Sequence, residues 1–158
     1  MVDIQTVSIA IASASVVVAA IYYTLQIRHQ NKLRQTDLVM RLYSTYGSPE
    51  FQEAEIKTGL MEFTDYDDYL KKHSPENRVA WNSQAAYFEG IGVLLHRKLI
   101  DIGLVDDLLS TPIINTWEKI EPLVKARREL LKRPQIWEWF EYLYNEMKKR
   151  EQKLQPTA

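Results

Sequence analysis

Twenty-four consecutive residues, Ile4 to Ile27, carry no charge. A soluble helix of that length has a polar face and charges on it, because one side meets water. About 20 apolar residues, each rising about 1.5 Å, cross the hydrocarbon core of a bilayer. The run therefore predicts a membrane-spanning helix with its apolar heart over Val7 to Leu25. Ser8, Ser13, Ser15 and Thr24 dilute it, but a hydroxyl in a helix can bond back to its own backbone carbonyls. Tyr22 and Tyr23 stand at one end, where headgroups lie. A cleaved signal peptide fits poorly: Met1-Val2-Asp3 is acidic, the apolar run is long, and no small-residue cleavage site follows.

The flanking charges predict orientation. Asp3 precedes the span, and Arg28, Lys32, Arg34 and Arg41 follow it, with His29 among them. Positive charge stays on the cytoplasmic side. A single-pass protein of the cell membrane is expected, with its N-terminus outside and its domain in the cytoplasm. Arg28, Lys32 and Arg34 would also lie near anionic headgroups of the lipid bilayer. Ser8, Ala12, Ser15 and Ala19 are spaced 4, 3 and 4 apart, which makes one seam of small side chains. Such a seam lets backbones approach closely in lipid. The expected partner is another transmembrane protein or a second copy.

The remainder of the 158 residues suffices for one packed domain. All 20 Lys and Arg lie from Arg28 onward, as do 20 of the 21 acids. That balance lacks the basic excess of a nucleic-acid binder, so no nucleic acid is expected. With no cysteine, disulfides, thiolate metal sites and cysteine nucleophiles are excluded. The organisation expected is an anchor over 1–27, a helical cytoplasmic domain over 28–150 and a flexible tail over 151–158.

No Pro or Gly occurs before Gly47, so the anchor should continue as one helix to about Tyr46. Leu33, Thr36, Met40 and Tyr43, with Val39, Leu42 and Tyr46 beside them, predict a face docked on the domain. Ser48-Pro49 and Ser74-Pro75 read as cap followed by first helical residue. They predict helices to about Phe63 and to about Lys98, with a short one over Tyr66–Lys72 between. The helix after Ser74 is apolar on two faces and should be central. Leu104–Leu109 reads as a short helical turn, Thr111-Pro112 as the start of a long helix kinked at Pro122, and Pro134 as the start of the last. The fold class is all-α: a transmembrane helix continuing into a bundle of about five to six helices.

The chain carries little recognisable chemistry. Gly90-Ile91-Gly92 lacks the third glycine and the preceding strand of a dinucleotide loop, and reads instead as room for a neighbouring helix. Asp65, Asp67 and Asp68 lack the length and mid-loop Gly of a calcium site, and suit a helix N-terminus. No catalytic motif is found and no cofactor is expected. His73, in a loop, is the best metal ligand the chain offers, though a solvated surface imidazole is the plainer reading. One constellation stands out. Arg127 occupies a position that the stripe Ile113, Trp117, Ile120, Val124 would give to an apolar residue. A buried Arg needs a partner. Glu89 is the expected one, with Tyr87 or Asp101 completing a network. That network is either an ion pair docking two helices or a polar pocket.

The series Tyr87-Phe88-Glu89-Gly90-Ile91-Gly92, Leu99-Ile100-Asp101, Trp117, Pro122, Arg127-Arg128, Pro134 and Phe140-Glu141-Tyr142-Leu143 resembles a prokaryotic family of small proteins catalogued only as a domain of unknown function. The resemblance covers about residues 5–147. It implies an N-terminal transmembrane helix and a helical cytoplasmic domain, and supplies no activity, cofactor or catalytic residue. Trp137 and Trp139 depart from it and add aromatic surface. Two function classes follow. One is a membrane-anchored interaction module, an accessory or regulatory subunit of a larger membrane complex. The other is a small-molecule or cofactor binder, or an unrecognised enzyme, with its pocket around Glu89 and Arg127.

Overall fold

Capping chemistry sets most of the helix boundaries in the computed structural model, which describes residues 3–154. Six helices and no strand occur among them: α1 (Ile4–Tyr46), α2 (Pro49–Gly59), α3 (Tyr66–Lys72), α4 (Pro75–His96), α5 (Ile102–Leu131) and α6 (Glu138–Leu154). Ser48, Asp65, Ser74 and Asp101 each accept a hydrogen bond from the backbone N–H three residues on, at Phe51, Asp68, Asn77 and Leu104. That side-chain acceptor satisfies one of the donors every helix start leaves open. Pro49 and Pro75 cost their helices nothing, because a first-turn N–H has no intrahelical acceptor.

The chain divides into two compact units, Met1–Asp37 and Leu38–Ala158. Most of α1 makes up the first. Met1 and Val2, and residues 155–158 of the expected tail, lie outside the described residues. Within the first unit Ser8, Ser15 and Thr24 donate to the carbonyls of Ile4, Ile11 and Ala20, which removes the cost of carrying hydroxyls on an apolar helix.

The second unit is built around α4. Ala80, Trp81, Gln84, Ala85, Phe88, Ile91, Gly92 and Leu95 are buried there, which makes this helix apolar on more than one face. It packs against α2, α5 and α6. Phe88 stacks on Phe140 of α6 with ring centroids 5.0 Å apart, and Phe140 meets Trp117 of α5 edge-on, also at 5.0 Å. Val39 at the end of α1 is fully buried, with Leu38, Leu42 and Tyr46 packed on the same core. Met40 and Tyr43 remain exposed, so the docked face is narrower than the spacing suggested.

Three helix boundaries differ from the sequence reading. α2 stops at Gly59 rather than Phe63, because Met61 turns inward and is buried. Thr111-Pro112 does not open a helix; α5 runs unbroken from Ile102 to Leu131 through both Pro112 and Pro122. A proline inside a helix forfeits one backbone bond. Burial of Val105 and Leu109 before Pro112, and of Ile113, Ile114 and Trp117 after it, offsets that loss. Nor does Pro134 open the last helix. Residues 134–137 form a turn in which Trp137 adopts φ 56°, and α6 begins at Glu138.

Only one of the two α4 glycines answers to a neighbouring helix. A Cβ on Gly92 would lie 2.0 Å from the Trp139 carbonyl oxygen, whereas one on Gly90 would meet nothing within 4 Å. Gly92 is therefore where α6 backbone rests on α4.

Candidate functional site

The expected pairing of Glu89 with Arg127 does not form. Arg127 Nη1 donates to Asn82 Oδ1 at 2.7 Å, and its guanidinium lies 5.8 Å from the Trp81 ring centroid. Glu89 Oε2 instead accepts from the Phe140 backbone N–H at 2.7 Å. Tyr87 donates its hydroxyl to the Leu42 carbonyl, and Asp101 caps α5. The four residues thus go to four different places. The reason lies in the course of α5. Its stripe is buried through Val124, but Arg127 is only half-buried and Leu131 is exposed, so the helix is leaving the core where Arg127 stands. A half-buried guanidinium can be satisfied by an amide, a ring face and water, and needs no carboxylate.

Glu89 performs a different task. With Trp137 in a left-handed conformation, α6 has no side-chain cap of its own. The Glu89 carboxylate, projecting from α4, receives the open N–H of Phe140 and also acts on that of Trp139. A negative charge at a helix start also suits the helix dipole. Burial nevertheless pushes the Glu89 carboxyl above the usual carboxylate range, and the hydrogen bonds from Phe140 and Trp139 only partly offset it. Tyr87 is likewise pushed up by burial.

His73 is committed as well. Its Nε2 lies 3.1 Å from the Glu62 carbonyl and its Nδ1 3.3 Å from the Asn77 amide. A neutral ring donating from Nε2 and accepting at Nδ1 satisfies both contacts, and the ring packs on Tyr69 with centroids 5.1 Å apart. That arrangement ties the loop ahead of α4 to the one ahead of α3 and leaves neither nitrogen for a metal. Among the described residues no group of three or more His, Asp and Glu could hold a metal ion. Asp65 caps α3, and Asp68 receives the Thr64 N–H and Lys72, which holds its carboxyl below the usual range.

A cleft without a counterpart among the sequence expectations lies where α3, α4 and the end of α5 meet. Its volume is about 320 Å³, at the lower end for ligand pockets. Arg78, Trp81 and Asn82 line it from α4, Tyr66, Tyr69 and Leu70 from α3, and Arg127, Leu130 and Leu131 from α5. Asn82 is held on its own helix, its amide donating to the Arg78 backbone carbonyl at 2.6 Å, while its oxygen accepts from Arg127. Spacing alone could have found part of this cleft, since Arg78, Trp81 and Asn82 share one helical face as i, i+3 and i+4. The approach of Arg127 to them could not be read from spacing. A second cleft, about 410 Å³ between α2 and α4, carries Glu50, Glu53 and Glu76. Lys57 also lines it and holds Glu53 at 2.7 Å.

On α1 the seam residues Ser8, Ala12, Ser15 and Ala19 are exposed, as are Arg28, Lys32 and Arg34. Ser15 and Ala19 lie in a shallow hollow bordered by Tyr22 and Tyr23. The helix is long and apolar enough to cross a membrane, with a mean hydropathy of 1.9 over its most apolar window and none of that window buried. Trp137 and Trp139 add little free aromatic surface. Trp137 packs against the core, and Trp139 lies against His96 with ring centroids 4.2 Å apart.

Residues 9–147 match the family described as a domain of unknown function, DUF4760, and the chain belongs to that family. No curated protein and no solved structure matches it.

Proposed function

We propose that this member of the DUF4760 family holds a helical domain at the cytoplasmic face of the cell membrane and works as an accessory or regulatory subunit of a larger membrane complex. The observation that carries the reading is the exposed, charge-free stretch of α1. Every described side chain from Val7 to Ile27 is exposed, and none of the most apolar window is buried. Leaving that much apolar surface in water would cost about 25 cal/mol for each Å². A bilayer removes the cost, and the basic residues Arg28, Lys32 and Arg34 favour a cytoplasmic domain.

The seam of Ser8, Ala12, Ser15 and Ala19 supports a transmembrane partner, either another protein or a second copy. The Ser8 and Ser15 hydroxyls are already bonded to their own helix, so the seam offers close approach rather than polar bonding. The test is extraction of native membranes. The full chain should resist alkaline carbonate and be released by mild detergent, and a reporter after Ala158 should read as cytoplasmic. Release by carbonate would refute the anchor, and an external reporter would refute the orientation. Changing the four seam residues to Leu should abolish a copurifying partner or a self-crosslink while Val16→Leu does not. A small-molecule binder is the second reading. One observation favours it, the place of Arg127 in an open cleft, although Glu89 is no part of that cleft.

A further inference from the structure

The geometry points to an anion-binding site in the cleft between α3, α4 and the end of α5, taking a small organic carboxylate or phosphate ester with an apolar body. It stands apart from the anchor reading and holds whether or not α1 crosses a membrane.

Three features carry it. First, two arginines line the same cleft and no acidic residue lines it with them. Elsewhere among the described residues Arg128 is paired with Glu141 and Arg150 with Asp106, both at 2.7 Å. Arg78 makes no such pair, and its Nε is buried without a hydrogen-bond partner. The Nε is sealed from the cleft, but an anion beside the rest of this half-buried guanidinium would recover part of the cost of leaving its charge unpaired. Second, the donors are held ready. Asn82 fixes Arg127 through Nη1 and the Trp81 ring lies against it, which leaves the other guanidinium N–H groups for a ligand. Trp81 Nε1 donates to the Tyr69 hydroxyl at 2.6 Å, and the Tyr69 hydrogen has no acceptor among the described residues. Guanidinium groups match the oxygens of carboxylate and phosphate in pairs. Third, the rim is apolar. Leu70, Leu130 and Leu131 are exposed at its edge beside Tyr66, which suits a hydrocarbon or aromatic body and not a bare inorganic ion. Paired positive donors with apolar walls select an amphiphilic anion.

Such an anion could be a free solute or a lipid headgroup, so the test separates the two. Phenyl phosphate is titrated into the full chain in an uncharged detergent, and binding is read by calorimetry and by the rise in unfolding temperature. Saturable binding is expected, weaker for inorganic phosphate. Arg78→Gln should weaken it about ten- to a hundredfold, the loss of one charge-assisted hydrogen bond, and Lys149→Gln, on an exposed salt-bridged lysine, should leave it unchanged. Among the described residues the Arg78 side chain makes no protein hydrogen bond or ion pair to lose, so this variant should unfold near the parent temperature. Absence of saturable binding in the parent chain would overturn the site, as would equal binding by Arg78→Gln. Repeating the titration in the uncharged detergent with a soluble short-chain phosphatidylglycerol added identifies the source. Competition with phenyl phosphate indicates a headgroup, and unchanged affinity a free solute.

Discussion

Gly92→Ala tests the packing of α4 on α6 directly. The added methyl would lie 2.0 Å from the carbonyl oxygen of Trp139, 2.6 Å from its carbonyl carbon and 3.1 Å from its Cβ. Ordinary contact begins near 3.4 Å, so α6 would have to retreat by more than about 1 Å. The obstacle is backbone, and no side-chain rotation relieves it. Overpacking costs about 1–3 kcal/mol, occasionally more, and a backbone obstacle belongs at the upper end. Against that, Ala is better than Gly in a helix interior by about 1 kcal/mol. The net loss is then about 2 kcal/mol or more. Gly90→Ala is the control, two residues away on the same helix with nothing within 4 Å. It should gain the propensity term alone, about 1 kcal/mol. The two variants should therefore differ by about 3 kcal/mol, or roughly 10 °C in unfolding temperature for a domain of this size. Near-ultraviolet circular dichroism of the full chain in mild detergent reads this, because Trp117 and Trp139 sit on or beside the contact. If Gly92→Ala proves as stable as Gly90→Ala, the close approach of the two helices is wrong.

Further outcomes follow from the buried polar groups. Glu89 has a folded pKa raised above its unfolded value, so the folded state holds its proton more tightly. Its contribution to stability is largest below the ordinary carboxylate range and is lost as pH rises through the folded value. Glu89→Gln keeps an acceptor for the Phe140 N–H and should flatten that part of the stability–pH curve, whereas Glu89→Ala should cost about 1–2 kcal/mol through loss of the cap. An unchanged curve in Glu89→Gln would show that Glu89 is not the titrating group. Effects of Glu89→Gln and Arg127→Gln on the unfolding free energy from denaturant melts should add, within about 0.5 kcal/mol, because the two side chains share no partner. Gln84 is fully buried with neither amide atom hydrogen-bonded. Gln84→Met should raise stability by about 1–2 kcal/mol in the same melts, and a loss of that size would reveal a bonding partner for the amide.

Much of this fold is legible along the chain. The absence of charge from Ile4 to Ile27 defines the apolar stretch of α1 locally, since each residue adds its own transfer free energy whatever surrounds it. The starts at Ser48-Pro49, Asp65 and Ser74-Pro75 are equally local, because an N-cap bonds within its own turn. Where tertiary contact competes with a local signal, the local signal loses. Pro112 sits inside α5 because the residues on both sides of it are buried against the core. α6 starts at Glu138, four residues after Pro134, where a carboxylate from another helix receives its first open N–H groups. The same limit governs the candidate site. Charge and spacing marked Arg127 and Glu89 as polar residues among apolar ones, which is a property of sequence. Their partners lie 45 and 51 residues away, at Asn82 and Phe140. Which atoms meet across such distances depends on how helix axes cross and where each face leaves the core. Periodicity along one helix carries no information about that crossing, so only the folded chain could bring Arg78 and Arg127 to one cleft and leave Glu89 outside it.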